Sequence, residues 1–429
     1  MGIRRRGPYA RRMKPSLGVP SIPPAEYRAR RERVLAELGR AVGIVLAGEA
    51  SAHGFRADPN FAYLTGLTGE AGAAVLFDPS NPDPRRRILL FLRPLNPEME
   101  VWDGYRDPIS TALRQRCGFD TVMRTTLLPR MLTQAVRLSK RGALLHALAV
   151  YDAPVSPDLA LLRRVMERVP GVGIEDRSEL LPSLRAIKSK AEVAIMRHAI
   201  AVTSAGYDAA LGVIRPGASE HAVQRALERT WQDLGADGPA YESIVGGGIN
   251  GTVLHYKDNS GTLKDGDLLV IDAGCSFAGY ASDITRTYPV NGKFTKRQRE
   301  LYDLVLGAQL ASIRAVRPGV WMHEVDEAAR KVFRRAGLED KYLHGIGHQL
   351  GLETHDASPI KKLEAGMVIT IEPGLYLPEE RTGIRIEDDV LVTPRGAQIL
   401  SPRIAKRAKD VEGEMAEARR GPALRARRR

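Results

Sequence analysis

Short apolar runs bounded by turn residues recur through the first third of the chain: Gly43-Ile44-Val45-Leu46-Ala47, Ala73-Ala74-Val75-Leu76-Phe77 and Ile88-Leu89-Leu90-Phe91-Leu92. Runs of that length, with no helical period and with Gly, Pro or Asp at their ends, predict buried strands. Residues 25–38 behave differently: Val34, Leu35 and Leu38 sit among Arg and Glu at the spacing of an amphipathic helix. Further helical segments are predicted over 110–116 and 157–168. Strands alternating with helices predict an α/β domain over residues 25–178, preceded by a basic tail and Pro-rich linker over 1–24.

A boundary is expected over 174–184, and the pattern then changes. Ser189 with Glu192, and Thr295 with Gln298, are each a capping box opening a long helix. Residues 215–235 align without a gap on 317–337, sharing Arg215/Arg317, Pro216/Pro318, Gly217/Gly319, His221/His323, Val223/Val325, Ala226/Ala328 and Gly235/Gly337. Leu263-Lys264-Asp265-Gly266 leads to Ile271-Asp272-Ala273-Gly274, just as Leu363-Glu364-Ala365-Gly366 leads to Ile371-Glu372-Pro373-Gly374. The period is too long for a solenoid. It predicts two homologous halves, each α then β, over residues 179–408: an α+β fold with helices outside a curved mixed sheet. Residues 409–429 are expected to be a disordered basic tail.

With 43% hydrophobic and 27% charged residues, the composition is that of a soluble globular protein. No apolar stretch approaches the ~20 residues of a membrane helix. Two cysteines, Cys117 and Cys275, make no disulfide framework, which points to a reducing, cytoplasmic setting. The net charge of +13 suggests nucleic acid until it is located: six cations without an acid lie in residues 1–14 and six more in 419–429. The body between is nearly neutral, so no specific nucleic-acid partner is expected, only weak salt-dependent contacts of the tails. The N-terminal Arg run lacks the apolar segment of a secretory signal; an organellar transit peptide is the alternative.

The chemistry lies in the duplicated strands. Each apolar run, 268–271 and 367–371, ends in one carboxylate and a turn glycine, giving Asp272 and Glu372; Asp283 and Glu387 follow one strand later. A buried carboxylate cluster is costly unless cations neutralise it. With His348 the set suits two divalent ions of intermediate hardness, Mn²⁺ first, with Co²⁺, Fe²⁺ or Zn²⁺ as alternatives. Two such ions sit about 3.5–4 Å apart with a hydroxide between them. Asp265, Asp267 and Glu364 read as solvated surface acids.

Five segments then carry a resemblance: Asp272-Ala-Gly, Ser282-Asp283-Ile-Thr-Arg-Thr, His344-Gly-Ile-Gly-His348, Ile371-Glu372-Pro-Gly and Arg385-Ile-Glu387-Asp-Asp. From about residue 180 the chain resembles the pita-bread metallopeptidase family. Within it, Tyr241-Glu-Ser-Ile-Val-Gly-Gly-Gly and Phe55-Arg-Ala-Asp58-Pro-Asn60-Phe-Ala-Tyr63-Leu-Thr-Gly66 resemble the aminopeptidase P branch, with Asp58 and Asn60 shuffled relative to that branch's pattern. The resemblance implies that Asp272 holds one metal, His348 and Glu372 the other, and that Asp283 and Glu387 bridge them. Glu372 would shuttle the proton, His255 would stabilise the oxyanion, and His344 and His355 would contact substrate around proline. Arg385 would meet the peptide backbone or position Asp272 and Glu387. The implied activity is release of the residue before proline from peptides with proline in second position. Such a bond has no amide N–H for an ordinary peptidase to use.

Of three alternatives, a prolidase restricted to dipeptides stays open, whereas the intact five-ligand set argues against a metal-free creatinase-like hydrolase and against an inactive module that binds peptides, histones or RNA. A homodimer or homotetramer is expected, with Trp102 either a pocket wall across a subunit interface or plain core. His53, His146, His198, His221 and His323 read as bystanders, and Cys275 as a packed thiol. Gly246-Gly247-Gly248, with no following Lys-Ser/Thr, reads as a flexible turn at the cleft rim.

Overall fold

The computed structural model describes residues 19–51, 54–146 and 155–420; His53 and both extreme tails lie outside them. The chain divides into two compact units, Met1–Arg185 and Ala186–Arg429.

The first unit alternates helices and strands: α1 (Pro24–Glu37), β1 (Val42–Leu46), α2 (Pro59–Thr65), β2 (Ala74–Phe77), β3 (Ile88–Leu92), α3 (Pro97–Asp103), α4 (Thr111–Cys117), β4 (Thr121–Arg124), α5 (Leu128–Ser139), β5 (Arg141–Leu144), α6 (Pro157–Met166) and β6 (Gly173–Asp176). The six strands form one sheet in the order β4-β3-β2-β1-β5-β6. Strand β2 runs antiparallel to both neighbours and the other pairings are parallel. Val42, Ile44, Leu76, Leu89 and Phe91 meet Leu132, Val136, Leu162 and Val165 from α5 and α6 in one core, so the apolar runs were buried strands as read.

Helix α1 departs from a simple amphipathic pattern, because Arg30 and Arg31 are buried. Arg30 donates to the carbonyl of Tyr63, and Arg31 to those of Leu64 and Gly118. The guanidinium groups thus donate to carbonyls of the last turn of α2 and, at Gly118, to the one that closes α4. Asp58 caps the start of α2 through the amides of Asn60 and Phe61, while Asn60 accepts from buried Arg185. The shuffled Asp58 and Asn60 therefore act inside this unit as a helix cap and an arginine acceptor. Trp102 is 83% exposed on α3, so it is not core.

Helix α7 (Leu180–Ala186) leads to the second unit. Two helix pairs follow the duplication: α8 (Lys190–Leu211) with α9 (Glu220–Asp233), and α10 (Lys296–Ala315) with α11 (Met322–Arg335). Ser189/Glu192 and Thr295/Gln298 close reciprocal capping boxes on α8 and α10. Gly217 and Gly319 both adopt positive φ (84° and 89°) and donate to the carbonyls of Leu263 and Leu363. The repeat read from sequence is thus the same turn built twice.

Between and after the helices lie β7 (Gly238–Pro239), β8 (Ile244–Gly247), β9 (Leu268–Asp272), β10 (Cys275–Phe277), β11 (Tyr280–Ala281), β12 (Thr285–Pro289), β13 (Val368–Ile371), β14 (Gly374–Leu377), β15 (Thr382–Arg385), β16 (Asp388–Thr393) and β17 (Gly396–Ile399). Strand β9 pairs with β12, and β13 with β16, both antiparallel, setting Asp272 opposite Thr285 and Ile371 opposite Asp388. These are the duplicated α/β halves of the pita-bread arrangement. Two details depart from expectation. Gly246 and Gly247 are no flexible turn: they belong to β8, which pairs with β9. A Cβ on Gly246 would come within 2.9 Å of the Asn250 backbone, so close packing explains the glycine.

Nor are residues 409–419 disordered. They belong to α12 (Ala408–Arg419), which buries Val411 and Met415, and Arg419 donates to the carbonyls of Val290 and Asn291. Ala408, Val411 and Met415, buried at helical spacing, outweigh the basic composition.

Trp231 on α9 is fully buried against Gly206 on α8, where any Cβ would overlap the indole nitrogen. Gly206→Ala is expected to destabilise the protein by about 1–3 kcal/mol, read as a lowered midpoint in thermal or urea unfolding.

Candidate metal centre

Asp272 ends β9, Asp283 precedes β12, Glu372 follows β13 and Glu387 precedes β16, so strand ends deliver four carboxylates. His348 comes from the loop before β13. Its Nε2 lies 3.5 Å from Asp283 Oδ2 and 3.4 Å from Glu372 Oε1. One ligand atom each of Asp283, His348 and Glu387 falls within 4.8 Å of the others. The structure thus brings Asp283, His348, Glu372 and Glu387 together, and Asp272 joins them through a shared hydroxyl. Tyr241 donates 2.6 Å to Asp272 Oδ1 and makes a short bond to Asp283 Oδ1.

Every acid also has an outer partner that aims it. Arg385 Nη2 donates to Asp272 Oδ2 at 2.6 Å. Thr285 donates to Glu387 Oε2 at 2.6 Å, and Thr370 to Glu372 Oε1 at 3.2 Å. His348 Nδ1 is 2.9 Å from the Gln349 carbonyl, which can only accept, so Nδ1 carries the proton and Nε2 keeps its lone pair. Behind the cluster, fully buried Arg286 donates to the carbonyl of Glu387 and pairs with Asp388 at 2.7 Å. The Asp283 amide donates to Asp389 Oδ2.

Charge has no internal solution here. Burial raises the pKa of Asp283 and Glu387 well above the carboxylate range, and neighbouring carboxylates push the same way. Burial likewise lifts Glu372 to about 8, while Arg385 opposes the rise. His348 is lowered to about 4, again chiefly by burial, so it is neutral and able to ligate. Glu387 Oε1 is buried without a hydrogen-bond partner. An unpartnered carboxylate oxygen in a cluster with Asp283 and a neutral His348 fits a divalent cation.

The other expected site residues divide. His355 places its ring 4.2 Å from that of His348, with its own ring exposed. His255 is exposed on its loop, and the carbonyl of the preceding Leu254 accepts from Arg385 at 3.3 Å. His344 has both nitrogens engaged: Nδ1 at 2.8 Å from the Gly345 carbonyl and Nε2 at 2.8 Å from the Tyr376 hydroxyl. Only its ring surface remains for substrate. Tyr376 in turn accepts from Arg385 at 2.7 Å, which makes a chain from His344 to Asp272.

Tyr241, Tyr376 and Thr285 were not read as site residues. Tyr241 and Thr285 stood inside quoted motifs, so position was the available signal, whereas Tyr376 gave none. Among the described residues no disulfide forms, and Cys275 is a buried thiol raised to about 11 that donates to the Ala199 carbonyl.

A cluster of carboxylates and one histidine that fits divalent metal, set on duplicated strands, defines a metal-dependent hydrolase of the pita-bread class. Residues 194–394 match metallopeptidase family M24, and residues 27–145 match the aminopeptidase P N-terminal domain. The Xaa-Pro aminopeptidase of Escherichia coli is 34% identical over 92% of this chain and 98% of its own. The solved aminopeptidase PepP of Pseudomonas aeruginosa is 32% identical, with a TM-score of 0.83 over 93% of this chain and 99% of that one. The Xaa-Pro dipeptidase of Pyrococcus furiosus is 38% identical over 52% of this chain and 65% of its own. The chain belongs to metallopeptidase family M24.

Two outcomes follow from the electrostatics. Glu372 keeps in the folded state a proton that the unfolded chain releases near 4.5, so its stabilising contribution is complete below that pH and lost as pH rises to about 8. The unfolding midpoint of chelator-stripped protein is therefore expected to fall across that window, and added Mn²⁺ to flatten the slope. Tyr241→Phe removes the hydroxyl shared by Asp272 and Asp283, and is expected to weaken Mn²⁺ binding by about 10–100-fold in calorimetric titration.

Proposed function

We propose that this protein is a divalent-metal-dependent aminopeptidase that releases the N-terminal residue from peptides with proline in second position. The observation that carries this reading is the convergence of Asp272, Asp283, His348, Glu372 and Glu387, with the Glu387 oxygen left unpartnered, on a chain resembling Xaa-Pro aminopeptidases over nine-tenths of its length. Asp272 would hold one ion and His348 and Glu372 the other, with Asp283 and Glu387 shared. Two ions, Mn²⁺ by the hardness of this donor set, supply Lewis acidity and a water acidic enough to ionise near neutral pH.

The chain's own residues do the remainder. Glu372 sits beside His348 at the end of its strand, so one carboxylate can take a proton and return it to the departing proline nitrogen. That return matters because a prolyl nitrogen is a basic secondary amine once its acyl partner leaves. Arg385 holds Asp272 and the loop before His255 at once, which keeps a donor for the developing oxyanion in register with the ligands. His355, beside His348, is assigned to substrate around proline.

The second reading is a prolidase, which the Pyrococcus dipeptidase favours through its likeness to the catalytic part of the chain. We also infer a homodimer or homotetramer, because Val101 (72% exposed) and Trp102 (83%) form an apolar surface on α3. Two buried thiols and no disulfide among the described residues are consistent with a reducing compartment, and we assign the cytoplasm. Among the described residues no helix is long and apolar enough to cross a membrane.

Hydrolysis of Arg-Pro-Pro and of Gly-Pro by chelator-stripped protein, before and after Mn²⁺, tests the reading. Metal-restored release of arginine alone is expected; cleavage of the dipeptide only would make the enzyme a prolidase, and cleavage of neither would remove the peptidase reading. Glu372→Gln is expected to cut kcat by about 10²–10⁴-fold with the fold intact by circular dichroism.

A further inference from the structure

Among the described residues Lys188 is the only buried lysine. It lies between the end of α7 and Ser189, the cap of α8. Its Nζ stands 3.1 Å from Asp356 Oδ2, and the two side chains are 1% and 2% exposed. Two charges withdrawn from water at this depth rarely gain stability over a packed apolar pair, so the pair calls for another reason.

The neighbours of Asp356 supply it. Its amide donates at 3.0 Å to the Gln349 carbonyl, which also receives the Nδ1 proton of His348 at 2.9 Å. The residue before it is His355, whose ring stands against His348. Gly351 leaves room for the pair: a Cβ there would overlap Asp356 Oδ2 and approach Lys188 Cε to 3.1 Å. The Lys188 amide meanwhile donates to the Gly366 carbonyl at 2.9 Å, and the Gly366 amide to Val392 at 2.8 Å. One residue therefore ties the loop bearing His348 and His355 at its middle and at its end, where β13 starts toward Glu372.

We propose that Lys188 is a positioning residue of the metal centre, acting through Asp356 to hold the Gln349 carbonyl and with it the Nδ1–H tautomer and Nε2 direction of His348. The role rests on the metal-dependent reading given above. It is separate from that of Arg385 and Tyr241, which bond the carboxylates directly.

The test compares full-length wild type, Lys188→Met, and the double variant Lys188→Met/Asp356→Asn, in which no charge stays buried. Four quantities are measured: the thermal unfolding midpoint, Mn²⁺ affinity of stripped protein by calorimetry, amide exchange of residues 345–357 without metal, and Arg-Pro-Pro kinetics at saturating Mn²⁺. Relative to the single variant, the double variant is expected to regain thermal stability. Its Mn²⁺ affinity should stay about 10–100-fold below wild type, with faster exchange across the loop and a loss in kcat larger than any rise in KM. A folded double variant with wild-type affinity and exchange would reduce the pair to a stability element and overturn the proposal. So would a double variant that does not fold, since the pair would then belong to folding. If wild type binds Mn²⁺ but cleaves no Xaa-Pro peptide, the function falls while the affinity comparison still judges Lys188.

Discussion

Four carboxylates converge in the core of the second unit with too little positive charge among their neighbours to balance them. Arg385 serves Asp272, and Arg286 serves Asp388 behind the ligands. Asp283, Glu387 and Glu372 are left to raise their pKa values or to bind cations. That unresolved charge shapes what surrounds it. The hydroxyls of Thr285 and Thr370 each engage one acid and that of Tyr241 engages two, while Asp283 and Glu372 each present an oxygen to His348.

The duplication is how one chain builds such a cluster. A repeated turn, with Gly217 and Gly319 at matching positive φ and matching bonds to Leu263 and Leu363, joins the two helices of each half in the same way. Each half then ends an apolar strand in an acid, and antiparallel pairing of β9 with β12, or of β13 with β16, sets the second acid beside it. Two halves facing each other give four acids from one local rule. The asymmetry comes from elsewhere: one histidine, His348, beside the acids, and one arginine that reaches from Asp272 to Tyr376 and the Leu254 carbonyl.

Helix ends show how far local rules carry. Ser189 and Thr295 were legible as caps because the interaction spans three residues and needs no tertiary partner. The end of the chain was misread for the opposite reason. Its arginines suggested disorder, yet Val411 and Met415 find a buried face, and Arg419 finds carbonyls of the loop near Gly292. Composition describes what a segment offers to water and says nothing of the surface waiting for it. Gly246 and Gly247 make the same point within a strand, where the missing side chains answer to neighbouring backbone rather than to flexibility.

The sequence by itself determined the strand and helix periods, the repeat and the acids at strand ends, and it singled out the histidine that the fold sets beside Asp283 and Glu372. These are properties of short stretches, and periodicity and spacing report them directly. Tertiary structure alone decided that His344 has both nitrogens occupied, that Tyr241 spans two acids, that Arg30 and Arg31 are buried, and that Lys188 meets Asp356 across 168 residues. Such contacts depend on which surfaces the fold brings together. A side chain's partner, unlike its period, is not encoded near it in the chain.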